Sequence, residues 1–106
     1  MDHSTSTFEA TKKQLITTQE HVTEGTMMSS PGIQYKGKNF AFLYKNGTMC
    51  FRLGRTFDPE SEGIHQYELL NPFRNKPPLK DWFVIGPDYT EQWPLLAEIA
   101  LQQMAK

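Results

Sequence analysis

The sequence is short of the residues that usually announce a chemistry. Cys50 is the one cysteine among 106 residues, so no intramolecular disulfide can form and a disulfide-stapled secreted fold is excluded. The three histidines, His3, His21 and His65, form no HExxH pattern. Their local spacing offers at most two ligands where a metal site needs three or four, so no metal site is expected. Gly37, Gly47 and Gly54 are separated turn glycines, not a phosphate-cradling loop. No apolar run approaches the ~20 residues of a membrane span. The opening "MDHSTSTFEATKK" lacks the charged-then-apolar layout of a signal peptide. A cytoplasmic location without membrane contact is the resulting expectation.

What is present suits one globular domain: 38% hydrophobic and 12% aromatic residues, with a formal charge of −1. The charge is unevenly spread. Asp and Glu are missing between Gly25 and Phe57, where Lys36, Lys38, Lys45, Arg52 and Arg55 all fall. From Gly25 to Lys80 eight basic residues face four acidic ones. Such a stretch is either an anion-facing surface or the solvated side of a sheet.

Hydrophobic periodicity orders the elements. Ser6 and Glu9 form a capping-box pattern, and Phe8, Leu15, Ile16, Gln19 and Val22 then share a helical face as far as Gly25. Residues 1–5 are expected to be frayed. "TMMSSPG" is a connector, followed by strands at 33–36, 38–45 and 48–53. Asn46-Gly47 predicts a two-residue turn between the last two. In that register Tyr44 faces Met49, Phe42 faces Phe51 and Phe40 faces Leu53, all on the core side. Ala41, Leu43, Cys50 and Arg52 share the opposite, partly apolar side, open to a loop or a partner. Gly54, Pro59 and Gly63 punctuate an irregular middle with room for a short helix within 60–70. "DWFVIGP" is a strand ended by Gly86-Pro87. Trp93, Leu96, Ala97, Ala100 and Met104 give a final helix with Pro94 in its first turn. The order predicts an α+β fold, a two-layer antiparallel sheet (a meander plus a later strand) flanked by N- and C-terminal helices.

No catalytic constellation emerges. Cys50 would need a neighbouring base to act as a nucleophile. Asp58, Glu60 and Glu62 sit in a Pro- and Gly-punctuated stretch and read as a solvated loop. A non-enzymatic binding or interaction module without cofactor is therefore expected, acting through protein contacts and open to a regulatory role. Its partner is a protein of unspecified identity, a second copy included. Arg52, Cys50, Leu43, Arg74 and Lys80 are the candidate surface. The alternative is nucleic-acid binding by the basic segment, with Lys36, Lys38 and Lys45 on phosphates. Its weakness is that the hairpin rings alternate into the core rather than onto a base-stacking surface.

"YKGKNFAFLYKNGTMCFRLG" followed by "NPFRNKPPLKDWFVIGPDYTEQWPLLAEIAL" resembles small proteins grouped with the TfoX N-terminal domain and the related YjbR-like proteins. Members show a hairpin around GK-F, a strand ending in KLG, then F-P…K-W and a C-terminal W--L---AL helix. Matching positions are Gly37, Lys38, Phe40, Arg52, Leu53, Gly54, Pro72, Phe73, Lys80, Trp82, Trp93, Leu96, Ala100 and Leu101. The resemblance covers residues 28 to 103 and rests on packing and turn residues. Where many relatives read Met-Phe-Gly, this sequence has Ser29-Ser30-Pro31-Gly32, which leaves the start of the first strand open. The resemblance implies a secretion-chaperone-like α+β domain over 1–106 and no catalytic residues. TfoX is a competence regulator in which a second domain follows; the sequence here ends at Lys106, so a role needing that domain is not carried over.

Overall fold

In the computed structural model, which describes residues 3–27, 30–44, 47–71 and 79–105, helix α1 spans His3–Thr18. It buries Phe8, Thr11 and Leu15, spaced three and four apart. The helix begins within the stretch expected to be frayed, so Ser6 lies inside it rather than at its cap. It also ends seven residues before Gly25. Thr17 and Thr18 turn their hydroxyls back onto the carbonyls of Lys13 and Gln14, the competing bonds that β-branched hydroxyl residues offer a helix. His21 then takes a left-handed φ of 68°, and the backbone leaves as a strand.

That strand is β1 (Val22–Met27), followed by β2 (Ser30–Tyr35), β3 (Lys38–Leu43), β4 (Met49–Arg52), β5 (Tyr67–Leu70) and β6 (Leu79–Ile85), and then by helix α2 (Trp93–Ala105). They form one antiparallel sheet in the order β1-β2-β3-β4-β6-β5. The α+β architecture is as the sequence predicts, with two strands more. β1 occupies residues that periodicity assigns to the end of the first helix and its connector. β5 follows a short 3-10 turn (Pro59–Glu62), in place of the helix expected within 60–70. Pro94 does fall in the first turn of α2.

The β3–β4 hairpin departs from the expected register by one residue. Ala41 faces Phe51, Phe42 faces Cys50 and Leu43 faces Met49. The Tyr44 N–H bonds the Thr48 carbonyl at 2.8 Å, so three residues, 45–47, connect the strands. Gly47 takes φ 73°, the left-handed position at which three-residue hairpins favour glycine. Because side chains alternate, one residue of slip moves Ala41, Phe42 and Leu43 of β3 to the faces opposite those expected, while Met49, Cys50 and Phe51 of β4 keep theirs.

Two cores result. Both helices pack on one face, over Ile33, Ala41, Met49, Phe51, Phe83 and Ile85, with Leu43 half-buried against them. The other face carries a smaller cluster of Phe42, Cys50, Leu70 and Trp82, with the Phe42 and Trp82 rings 5.5 Å apart. Phe40 escapes the alternation. Ile33 faces Ala41 and Gln34 faces Asn39, so Phe40 is the extra residue of a bulge and joins Ala41 in the helix-covered core. Among the described residues no helix is long and apolar enough to cross a membrane.

The β1 edge is tied to α1 by Lys12, whose Nζ reaches Glu24 at 2.6 Å and Glu9 at 3.1 Å. The hydrogen bond from Lys12 holds the Glu24 carboxyl below its ordinary value of 4.5. A depressed carboxyl stabilises the fold at pH above its unfolded pKa, and the contribution disappears as pH falls through the folded one. A carbon-detected NMR titration should place the Glu24 midpoint below that of a free glutamate. Lys12→Gln should return it to the ordinary range; an unchanged midpoint would remove the ion pair from solution.

Candidate functional site

Where β3 begins, β4 ends and β6 begins, the last turn of α2 overhangs the sheet. The space beneath is an open cleft of about 340 Å³ lined by Lys38, Arg52, Gly54, Asp81, Gln103 and Met104. Backbone bonds define its floor: the N–H groups of Leu53 and Gly54 both donate to the Asp81 carbonyl, at 3.0 and 3.2 Å. Gly54 has φ 93°, and a Cβ there would sit 3.7 Å from the Gln103 carboxamide. The carboxamide therefore lies over the glycine.

Arg52 is half-buried. Among the described residues the one side-chain partner of its guanidinium is the Met104 thioether, with Nη1 3.5 Å from Sδ. A thioether is a weak acceptor, so among the described residues most of the five donors of this fork have no partner. Asp81, the carboxylate of the same cleft, is engaged elsewhere: its Oδ1 lies 3.2 Å from Arg55 Nε. Lys38 adds an exposed ammonium at the mouth. The negative end of α2 helps to hold the two cations here.

The residues singled out from sequence divide sharply. Arg52 lines the cleft. Lys38, assigned to phosphate contacts, joins it there. Lys36 is exposed at the β2–β3 turn, with its Nζ 5.5 Å from the centre of the Tyr35 ring. Leu43 and Cys50 do not form an open apolar face: the one-residue slip sends Leu43 under the helices, while Cys50 keeps its expected face and is buried there in the second cluster beside Phe42. Arg74 and Lys45 lie outside the described residues, and so does the side chain of Lys80. Asp81, Gln103 and Met104 are not among the residues that sequence singles out. They come from two elements far along the sequence, and no local pattern joins them to Arg52.

Burial pushes the Cys50 thiol well above its ordinary range, and a thiolate rather than a thiol is the nucleophile. Cys50 should therefore resist iodoacetamide in the folded protein at pH 8 and react promptly once unfolded in guanidinium, as mass spectrometry would read. Fast alkylation of the native protein would contradict its place in the second cluster. Among the described residues no three His, Cys, Asp or Glu side chains gather as a metal site. A larger hollow of about 620 Å³ lies between the end of α1 and α2, lined in part by Glu20, His21, Tyr35 and Glu98. None of the candidate surface residues or proposed phosphate-contacting lysines lines it.

Comparison of the sequence and fold with protein-family models, with curated proteins and with solved structures returns no match.

Proposed function

We propose that the protein is a non-enzymatic interaction module that grips an acidic group of a protein partner in the Lys38–Arg52 cleft. The observation that carries this reading is the half-buried Arg52 guanidinium, held in an open cleft with a thioether as its side-chain partner. A planar fork of donors is suited to a carboxylate. Nucleic acid is the less favoured partner for a physical reason. Base stacking needs exposed rings, and Phe40, Phe42, Phe51 and Trp82 are buried.

Fluorescence anisotropy with a labelled glutamate-rich peptide tests the reading, with a single-stranded oligonucleotide of similar length as the competing arm. The peptide should bind at low salt, and Arg52→Gln should weaken it about tenfold or more, the effect of losing a charge-assisted hydrogen bond. An oligonucleotide that binds more tightly than the peptide would transfer the function to nucleic acid. Binding that is indifferent to Arg52 would sink the cleft as the recognition point.

A further inference from the structure

We infer that the cleft is a site for a single carboxylate and discriminates against phosphate. This rests on the reading just given and narrows it to one chemical group. Lys38 and Arg52 bring two positive charges to the cleft, and Asp81 brings one negative charge that Arg55 already shares. The last turn of α2 adds roughly half a negative charge. The balance is an excess of about half a positive charge, or about one and a half where Arg55 neutralises Asp81, which a monoanion matches best. A phosphate dianion would overshoot it and meet the Asp81 carboxylate across the same small space, a like-charge contact that opposes binding.

The remaining walls agree with a carboxylate carried on a carbon stem. The Arg52 fork can take both oxygens in parallel. The Gln103 carboxamide, lying over Gly54, can turn its NH2 toward one of them. Met104 offers a soft, polarizable wall on which methylenes pack. An acidic side chain and a free peptide C-terminus both present this chemistry. Its strength is modest, since a single ion pair in an open cleft is partly screened by water.

Two-dimensional NMR of the intact, isotope-labelled protein provides the test, read at the Arg52 Nε–H and Gln103 side-chain amide signals. Four probes are titrated into the millimolar range: a neutral peptide with a free C-terminus, the same peptide amidated, an amidated peptide containing one glutamate, and inorganic phosphate at neutral pH. Saturable shifts are expected with at least one carboxylate-bearing peptide. The amidated neutral peptide should give none, and phosphate should bind at least tenfold more weakly. Comparing the first and third probes tells a C-terminus from an acidic side chain. Arg52→Gln should abolish the shifts at Gln103, and Lys38→Gln should weaken them several-fold while melting temperature holds. Phosphate binding as tightly as carboxylate would overturn the inference and leave the anion cleft standing. No shift with any probe would overturn both.

Discussion

Replacing Trp93 by alanine should cost about 3–5 kcal/mol of stability, the range for deleting a buried tryptophan or phenylalanine. Trp93 is fully buried where α2 begins, its ring 6.5 Å from that of Phe51 on β4, so it joins the C-terminal helix to the centre of the sheet. Domains of this size are stable by roughly 5–15 kcal/mol, and the loss should appear as a fall in melting temperature of roughly 15–30 °C. Trp93→Phe should behave quite differently. The indole Nε1 is buried without a hydrogen-bond partner among the described residues. Phenylalanine would remove that unpaired donor, whose burial costs about 1–3 kcal/mol, while leaving a cavity that costs a similar amount. The two effects oppose each other, so the phenylalanine variant should stay within about 1.5 kcal/mol of the parent. Urea denaturation decides it. A phenylalanine variant as damaged as the alanine one would mean that the indole N–H has a partner, such as a buried water.

Trp93 also illustrates which parts of the fold are legible in the sequence. The α2 face, with Trp93, Leu96, Ala97 and Ala100 at helical spacing and all buried, depends on a strong local period. The β6 strand follows from the apolar run Trp82–Ile85 and the Gly86-Pro87 stop. β1 is hidden because Val22 continues the helical spacing of Phe8 and Leu15, and period alone assigns it to the helix. What ends the helix is the back-bonding of Thr17 and Thr18 and the left-handed His21. Neither leaves a periodic signature. β5 is an edge strand of four residues with an exposed Tyr67 and Glu68, too short and too polar on one side to stand out from the irregular stretch before it. The hairpin register is obscured for a different reason. Asn46-Gly47 is a strong two-residue turn signal, but the strands pair so that one more residue enters the loop, and tertiary packing overrides the local preference.

The candidate site is legible only in its cations. A basic residue between apolar strand positions draws attention to Arg52, and the turn places Lys38 near a sheet end. Their meeting depends on β3 and β4 being antiparallel neighbours, so that the start of one lies beside the end of the other. The other walls come from β6 and from α2, which sequence separates from Arg52 by 29 to 52 positions. Sheet order brings Asp81 in, since β6 inserts between β4 and β5. Helix packing brings in Gln103 and Met104.

Phe42→Ala should be nearly as damaging as a substitution beneath the helices, at about 3–5 kcal/mol, although both helices pack on the other face of the sheet. Phe42 is fully buried beside Cys50, Leu70 and Trp82, and its ring meets Trp82 at 5.5 Å and Tyr44 at 5.7 Å. Truncation would open a cavity in a cluster too small to collapse around it. A companion substitution makes the register itself testable. Ala41 is fully buried opposite Phe51 in the helix-covered core, and Ala41→Leu should cost about 1–3 kcal/mol by overpacking. With a two-residue turn at Asn46-Gly47, Ala41 would point to the open side and tolerate leucine, and Phe42 would lie next to Phe51. Phe42→Ala is costly in either register, so it measures how well the second cluster is packed. Ala41→Leu distinguishes the registers, because only the pairing Ala41–Phe51 leaves it no room. A neutral Ala41→Leu in urea denaturation would restore the two-residue turn and set Leu43 instead of Phe42 beside Cys50. A loss of about 1–3 kcal/mol with an unchanged m-value places Leu43 under the helices.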